Sequence, residues 1–260
     1  EVSVLMAREL KKRGVDVRTG TTIQETQVRD GLVVANLKDG STVEAEMLLV
    51  SIGRGFQSRD IGAEAAGIAL GKRGEILVDD RMETNVPGVY AIGDVVGKAM
   101  LAHVASAQGK VAVENILGHP TTIRYEVIPA GIFTLPEVGR VGLTERQARE
   151  QAQAAGQDPE QAVKVGRFRY AALGKAQATG DITGLFKVIA DAATGRLLGA
   201  HIVGAHAADL IHEAALAMET GATVLQIAHM IHAHPTLAEG FLEAVEDVEG
   251  CAIHQMKKKS

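Results

Sequence analysis

The sequence contains no tryptophan and a single cysteine, Cys251. One cysteine excludes an internal disulfide framework and is compatible with a reducing compartment. Aromatic residues make up only 3% of the chain, whereas hydrophobic residues as a whole make up 46% and glycines number 29. Small aliphatic side chains and glycines must therefore pack the core, which suits the closely layered strands and helices of an α/β protein.

Two further absences exclude classes of partner. The formal net charge is −5, which gives no basic footprint for nucleic acid. No apolar run approaches the length that spans a membrane, so we expect no membrane segment and a cytoplasmic protein. The sequence starts at Glu1 without an initiator methionine or a targeting signature, and we expect it to begin inside a domain.

The pattern of the first half predicts helices and short strands. The periodicity of Val2–Arg13 predicts a helix that Gly14 ends. Asp30-Gly31 is a strong hairpin signal, and Asp39-Gly40 supplies the next turn, so a small β-meander is expected. Further strands are expected at Val15–Arg18, Glu46–Ile52, Gly74–Val78 and Val89–Asp94, and a helix at Met100–Leu117.

The second half predicts an antiparallel sheet backed by helices. The sequence does not decide whether the predicted helix Ala207–Glu219 packs internally or against a partner. His212 and Glu213, which belong to this helix, are expected at the surface or at an interface. Strands are expected at Val127–Phe133, Gly139–Leu143, Val163–Tyr170, Leu185–Ala190 and Leu197–Val203. Helices are expected after the capping residue Thr144 and at Ala207–Glu219, Val224–His232 and Leu237–Glu246.

The most informative stretch is His232–Glu239, which reads His-Ala-His-Pro-Thr-Leu-Ala-Glu. Pro235 disfavours helix at His234, and Thr236 and Glu239 have the spacing of a capping box. An imidazole fixed at a helix start, with a carboxylate one turn further on, suits an acid/base pair. A capped helix preceded by a packed histidine explains the same residues, and this alternative stays open at this point.

The histidines at positions 229, 232 and 234 do not predict a metal site. Pro235 turns the chain directly after the last of them, and no carboxylate or cysteine precedes them at a standard ligand spacing. We therefore expect no metal.

Five stretches together resemble the pyridine nucleotide-disulfide oxidoreductases, a family of flavin-dependent enzymes. They follow the family's order and cover most of the chain: Ser51–Arg54, Thr84–Asp94, Met100–His103, Phe133–Glu145 and the histidine motif. Within the family, the resemblance is strongest to the dihydrolipoamide dehydrogenases. It implies FAD and NAD as cofactors, oxidation of protein-bound dihydrolipoamide to lipoamide with NAD as the final acceptor, and a homodimer.

The resemblance also implies roles for single residues. His234 is the implied acid/base and Glu239 its partner, and they act on the flavin and disulfide of the opposite subunit. Read without the resemblance, Gly53 is a turn, Asp94 a cap or turn residue, and His103 a packing or hydrogen-bonding residue. The implied cofactor-binding residues are Gly53 and Arg54 for NAD, and Asp94, Met100, Leu101, Ala102 and His103 for FAD.

The implied fold class is α/β with an α+β C-terminal part: remnants of two dinucleotide-binding domains, then an antiparallel-sheet and helix dimerisation domain. We expect residues 1–54 to belong to the NAD-binding domain, 55–121 to the FAD-binding domain and 122–256 to the dimerisation domain, with a tail at 257–260. The implied partners are a second copy and the lipoyl domain of a 2-oxoacid dehydrogenase complex or of the glycine cleavage system.

Two family motifs are absent: the redox pair Cys-x-x-x-x-Cys and the phosphate-binding Gly-x-Gly-x-x-Gly. We therefore expect these 260 residues alone to be inactive and the activity to belong to a longer parent. Glutathione reductase and soluble transhydrogenase stay open as alternatives, whereas mercuric ion reductase is disfavoured because Cys251 has no vicinal cysteine. A non-catalytic dimerisation or interaction module is a further alternative, although the retention of His234, Glu239 and Asp94 weighs against it.

Overall fold

The computed structural model describes residues 1–255, so Met256 and the predicted tail at residues 257–260 lie outside the described residues. Two antiparallel sheets flank a middle segment of mostly irregular backbone. Within the described residues, no helix is both long enough and apolar enough to cross a membrane.

The first 45 residues form a helix and a three-stranded meander, as predicted. Helix α1 (Val2–Lys12) is followed by Gly14, whose φ of +81° favours glycine. The strands pair antiparallel in chain order and are β1 (Ile23–Arg29), β2 (Leu32–Leu37) and β3 (Thr42–Ala45). Asp30 and Gly31 both have positive φ, as a two-residue hairpin turn between β1 and β2 requires.

Two strands predicted beside this meander do not form. Val15–Arg18 and Glu46–Ile52 have neither helix nor strand, and Ile52 is 95% exposed. The apolar pattern of Glu46–Ile52 predicts burial on both faces, but a strand also needs ladder hydrogen bonds to a neighbour. Among the described residues, no strand pairs with either segment, so both predictions are wrong for this chain.

The middle segment contains one long helix, and its two predicted strands are also wrong. Gly74–Val78 and Val89–Asp94 take part only in isolated bridges, Leu70 with Ile76 and Glu83 with Tyr90. Neither segment forms a strand, because a single bridge does not supply the ladder of hydrogen bonds that a strand needs. Helix α2 (Ala102–Ile116) confirms the predicted helix and is followed by Gly118, which has a φ of +83°.

The second half contains the predicted antiparallel sheet. Its five strands are β4 (Ala130–Ile132), β5 (Glu137–Gly142), β6 (Val163–Arg169), β7 (Leu185–Asp191) and β8 (Leu197–Gly204). Their order is β4-β5-β8-β7-β6, and every neighbouring pair is antiparallel. The sheet is the scaffold on which the long helices of this half pack.

Six α-helices accompany the sheet in the part of the chain that the structure describes. They are α3 (Glu145–Ala154), α4 (Pro159–Ala162), α5 (Gly174–Thr179), α6 (Ala207–Thr220), α7 (Val224–Ala228) and α8 (Glu239–Val248). Helix α6 packs on β5 and β8, and α8 packs on β6 and β7. Helix α7 ends four residues before the predicted end at His232, because Met230 and Ile231 are exposed and add no burial that would extend it.

The core holds the first turn of α8 close to the sheet. Tyr170 and Phe186 stack with ring centroids 4.7 Å apart, and Phe241 of α8 belongs to the same buried cluster. A Cβ atom added at Gly240 would overlap the Phe186 ring. The absence of a side chain at this position therefore permits the close approach that fixes the neighbouring residue, Glu239.

Candidate active site

His234 and Glu239 form a hydrogen-bonded pair at the start of α8. The ring Nδ1 lies 2.8 Å from Glu239 Oε1, and Oε2 accepts a hydrogen bond from the Thr236 N–H, also at 2.8 Å. The His234 side chain is 75% exposed, whereas that of Glu239 is 23% exposed. The carboxylate is thus held on two sides, and the imidazole is open to solvent.

Thr236 does not cap α8 as its spacing predicts. The N-cap residue is Ala238, and no side chain bonds to the first N–H groups of the helix. The Thr236 hydroxyl donates instead to the Ala233 carbonyl oxygen at 2.8 Å. Only the reverse half of the predicted capping box, from the Thr236 N–H to Glu239, is present. The helix starts too late for the threonine to reach its free N–H groups, so Thr236 closes a turn within the loop.

The electrostatics of the pair keep Glu239 ionised. Burial by itself would raise the pKa of Glu239, but the hydrogen bonds from the Thr236 N–H and the His234 ring outweigh burial and lower that pKa. As an acceptor, the carboxylate requires a hydrogen on His234 Nδ1, which leaves Nε2 unprotonated in the neutral ring. An exposed imidazole in this tautomer can take a proton from a substrate that reaches the surface.

A second histidine–carboxylate pair joins the same loop to α6. His232 Nε2 is 2.7 Å from Glu213 Oε1, and the His232 side chain is only 4% exposed. Sequence reasoning missed this pair, because 19 residues separate its members and no local pattern links them. Among residues 1–255, no group of three or more histidine, cysteine or acidic residues is arranged to hold a metal ion.

Asp94 lies in a single helical turn, Gly93–Val96, that packs beside α2. This turn replaces the end of the strand predicted at Val89–Asp94, and the Asp94 residue is exposed. The Gly93 N–H donates to Gln108 Oε1 at 2.6 Å, and the fully buried Gln108 donates to the Tyr125 hydroxyl oxygen at 2.9 Å. Sequence reasoning missed Gln108, because a polar residue in a helix predicts a solvated position.

The predicted flavin-facing residues, Met100–His103, lie at the start of α2. The backbone of the N-cap residue Leu101 is extended, and no side chain caps the first N–H groups. His103 Nε2 lies 2.8 Å from the Pro129 carbonyl oxygen, so the ring is engaged in a hydrogen bond. Uncapped N–H donors near an exposed carboxylate fit the hydroxyl groups and the ring edge of a flavin.

Gly53 and Arg54 lie in an exposed, irregular segment that follows β3. Gly53 has a φ of +124°, and a Cβ atom added there would meet no atom within 4 Å. The backbone conformation, rather than crowding within the chain, therefore favours glycine at this position. The structure thus brings His234 to Glu239 and Asp94 to α2, while Gly53 and Arg54 occupy a separate exposed segment.

Two family descriptions match most of the chain. "Pyridine nucleotide-disulphide oxidoreductase" matches residues 1–109, and "Pyridine nucleotide-disulphide oxidoreductase, dimerisation domain" matches residues 128–245. The chain belongs to the pyridine nucleotide-disulphide oxidoreductase family. The second match includes the whole five-stranded sheet and the His234–Glu239 pair, and the predicted family is confirmed.

The chain spans about half the length of the curated relatives it matches. It is 43% identical over 263 residues to dihydrolipoyl dehydrogenase of Thermus scotoductus, covering 99% of this chain and 55% of the relative. It is 40% identical to the enzyme of the same name from Geobacillus stearothermophilus, covering 99% and 54%. It is 41% identical to the mitochondrial dihydrolipoyl dehydrogenase of Sus scrofa, covering 94% and 48%.

Solved structures of the family share the fold. LpdA from Mycobacterium tuberculosis matches with a TM-score of 0.84 and 27% identity, covering 94% of this chain and 52% of that chain. The Cu(II) complex of RclA, an HOCl-induced flavoprotein disulfide reductase from Escherichia coli, matches with a TM-score of 0.85 and 25% identity, covering 95% and 54%. The predicted fold class, part of a flavin-linked disulfide reductase, is confirmed.

Proposed function

We propose that this chain is the C-terminal portion of a flavin-dependent dihydrolipoyl dehydrogenase, which oxidises protein-bound dihydrolipoamide to lipoamide with NAD as the final acceptor. The observation that carries the proposal is the His234–Glu239 pair, in which an exposed ring is oriented by a carboxylate at 2.8 Å. The similarity supports it, since relatives at 43% and 40% identity carry that name.

In this function, His234 moves the proton of a thiol. Its Nε2 takes a proton from one thiol of the dihydrolipoyl group, which generates the thiolate that can attack a disulfide. Glu239 holds the ring in the required tautomer and stabilises the imidazolium that forms. The lowered pKa of Glu239 suits this task, because the carboxylate stays ionised while the ring gains and loses its proton.

The proposed cofactors are FAD and NAD. Asp94 would accept hydrogen bonds from hydroxyls of the FAD ribityl chain, and Met100, Leu101, Ala102 and His103 would hold the flavin ring edge at the start of α2. Gly53 and Arg54 would hold the nicotinamide nucleotide. When bound, FAD would supply the redox chemistry that connects the dithiol to NAD.

The proposed assembly is a homodimer in which His234 serves the flavin and disulfide of the opposite subunit. Its 75% exposure supports this assignment, since the ring is open to a group from outside its own domain, as does the dimerisation-domain match to residues 128–245. The proposed division of the chain is 1–54 for NAD, 55–121 for FAD and 122–256 for dimerisation. The proposed macromolecular substrate is the lipoyl domain of a 2-oxoacid dehydrogenase complex or of the glycine cleavage system.

Replacement of His234 tests this function in the full-length flavoprotein. We expect His234→Ala to lower dihydrolipoamide-dependent reduction of NAD by about 10²- to 10⁴-fold, the usual contribution of a general base. Flavin content and oxidation of NADH by ferricyanide should stay normal, since neither requires proton transfer at sulfur. His212→Ala, which removes an exposed histidine of α6, is the matched control. Normal dihydrolipoamide turnover in His234→Ala would remove His234 from the mechanism.

The substrate is tested separately with the unmodified protein. We expect turnover with dihydrolipoamide and NAD, and little with glutathione disulfide and NADPH. The opposite preference would assign the chain to a glutathione reductase and overturn the dihydrolipoyl assignment.

A further inference from the structure

The loop between α7 and α8 carries His234 and is mostly exposed. Ile231 is 96% exposed, and the His234 side chain is 75% exposed. The His232 side chain lies between these two residues but is only 4% exposed. This loop therefore turns one histidine inward and one outward within three residues.

Few hydrogen bonds hold the loop in place. In the part of the chain that the structure describes, no backbone–backbone hydrogen bond involves residues 231–236. Four bonds that involve side chains are local. Thr236 makes two of them, from its hydroxyl to the Ala233 carbonyl and from its N–H to Glu239. The other two join His232 Nδ1 to the Met230 carbonyl oxygen at 3.2 Å and His234 Nδ1 to Glu239. The bond between His232 Nε2 and Glu213 Oε1, at 2.7 Å, joins the loop to α6.

Glu213 is a firm attachment point for the loop. It lies in the middle of α6, whose Ile211 and Ala214 are buried in the core that also contains strands β5 and β8. The Glu213 side chain is 26% exposed, so its bond to the buried His232 ring is partly shielded from water. A charge-assisted hydrogen bond in such surroundings is stronger than one on an open surface.

We propose that Glu213 and His232 are a positioning pair, which holds the loop so that His234 Nε2 reaches its substrate. This inference rests on the proposed function of His234. Two residues of chain span at most about 7 Å, so an anchor at His232 restricts the position of His234 directly. Glu239 orients the ring from one side, and the Glu213–His232 pair fixes the backbone that carries the ring. Neither member of the pair needs to contact the substrate.

The test uses Glu213→Ala in the full-length flavoprotein, with turnover expressed per bound flavin. We expect kcat with dihydrolipoamide to fall by about tenfold to a hundredfold, the range that follows from a displacement on the order of 1 Å. KM should change by less than about threefold, since the pair does not touch substrate. Glu213→Gln should restore most of the lost kcat, because the amide oxygen still accepts from His232 Nε2–H.

Two controls separate positioning from general loss of structure. Glu219→Ala removes another carboxylate of α6, one that is exposed and pairs with Arg124, and it should leave kcat unchanged. Oxidation of NADH by ferricyanide should be normal in every variant. Should Glu213→Ala not fold, Glu213→Asp keeps the charge, retracts the carboxylate by one methylene, and is expected to lower kcat per flavin.

The outcomes distinguish this inference from the proposed function. If His234→Ala is inactive while Glu213→Ala and Glu213→Asp keep the unmodified kcat per flavin, the positioning pair is overturned and the function of His234 stands. If Glu213→Gln is as slow as Glu213→Ala, positioning by this hydrogen bond is also overturned. Normal dihydrolipoamide turnover in His234→Ala would overturn the proposed function itself.

Discussion

Both carboxylate oxygens of Glu239 are engaged, one by the His234 ring and the other by the Thr236 N–H. This arrangement gives the residue two tasks, since it orients the ring and also closes the turn before α8. The opposing effects of partial burial and two hydrogen bonds leave the pKa of Glu239 lower than usual. A carboxyl group with a lowered pKa stabilises the folded state only while it is ionised.

The stability supplied by Glu239 should therefore depend on pH. It is fully present above the ordinary pKa of 4.5 and is lost as the pH falls through the lowered pKa of the folded state. We expect Glu239→Gln to have a lower Tm than the unmodified flavoprotein at pH 7, with the difference shrinking below pH 4.5. Thermal unfolding followed across this range measures the difference. A Tm difference that grows on acidification would show that Glu239 is not ionised in the folded state.

At the scale of elements, the position of α8 depends on two small residues at its contacts with the sheet. A Cβ atom at Gly240 would overlap the Phe186 ring, and one at Gly166 of β6 would overlap the Ala244 carbonyl oxygen. Close contact with the sheet fixes the first turn of the helix. The position of Glu239 therefore depends on packing that lies outside the pair itself.

Gly240→Ala should consequently be destabilising, although alanine normally favours a helix over glycine by about 1 kcal/mol. We expect a loss of about 1–3 kcal/mol, the usual cost of an overpacked core, together with a lower kcat, because the helix must move away from Phe186. Chemical denaturation and turnover per flavin measure the two effects. Gly55→Ala is the matched control, since a Cβ atom there meets nothing within 4 Å. Equal stability of the two variants would mean that the contact with Phe186 relaxes freely.

The strands show which elements sequence patterns can predict. The Asp30-Gly31 hairpin and strands β5 to β8 were predictable, because their partners lie within the same chain. The strands expected at Val15–Arg18 and Glu46–Ile52 did not form, since apolar periodicity contains no information on whether a neighbouring strand is present. Helix α7 is shorter than predicted for a related reason: Met230 and Ile231 have no core to cover.

At the scale of the whole molecule, the site could be predicted only in part. The motif spacing identified His234 and Glu239 as a pair, and the structure places them 2.8 Å apart. Two other contacts join residues that are distant in sequence. Glu213 and His232 are 19 positions apart, and Gly93 and Gln108 are 15 positions apart. Both contacts depend on the tertiary path of the chain. The roles of Gly53, Arg54, Asp94 and Met100–His103 stay predictions.

The exposure of His234 also concerns the whole molecule. An acid/base whose ring is 75% exposed needs another surface to exclude water. The same surface must place the reacting sulfur atoms within reach of the ring. In the proposed homodimer, the opposite subunit supplies that surface. Each active site then contains His234 from one subunit and the flavin and disulfide from the other.

The turnover of a hybrid dimer tests the shared site most directly. One subunit carries His234→Ala, and the other carries serine in place of the redox-active cysteines that the proposed function requires. Two affinity tags allow the hybrid to be purified. A shared site predicts that the hybrid recovers about half of the unmodified turnover although both parent homodimers are inactive, because one of its two sites combines an intact His234 with an intact disulfide. A hybrid as inactive as its parents would show that His234 acts within its own subunit and would contradict the shared site.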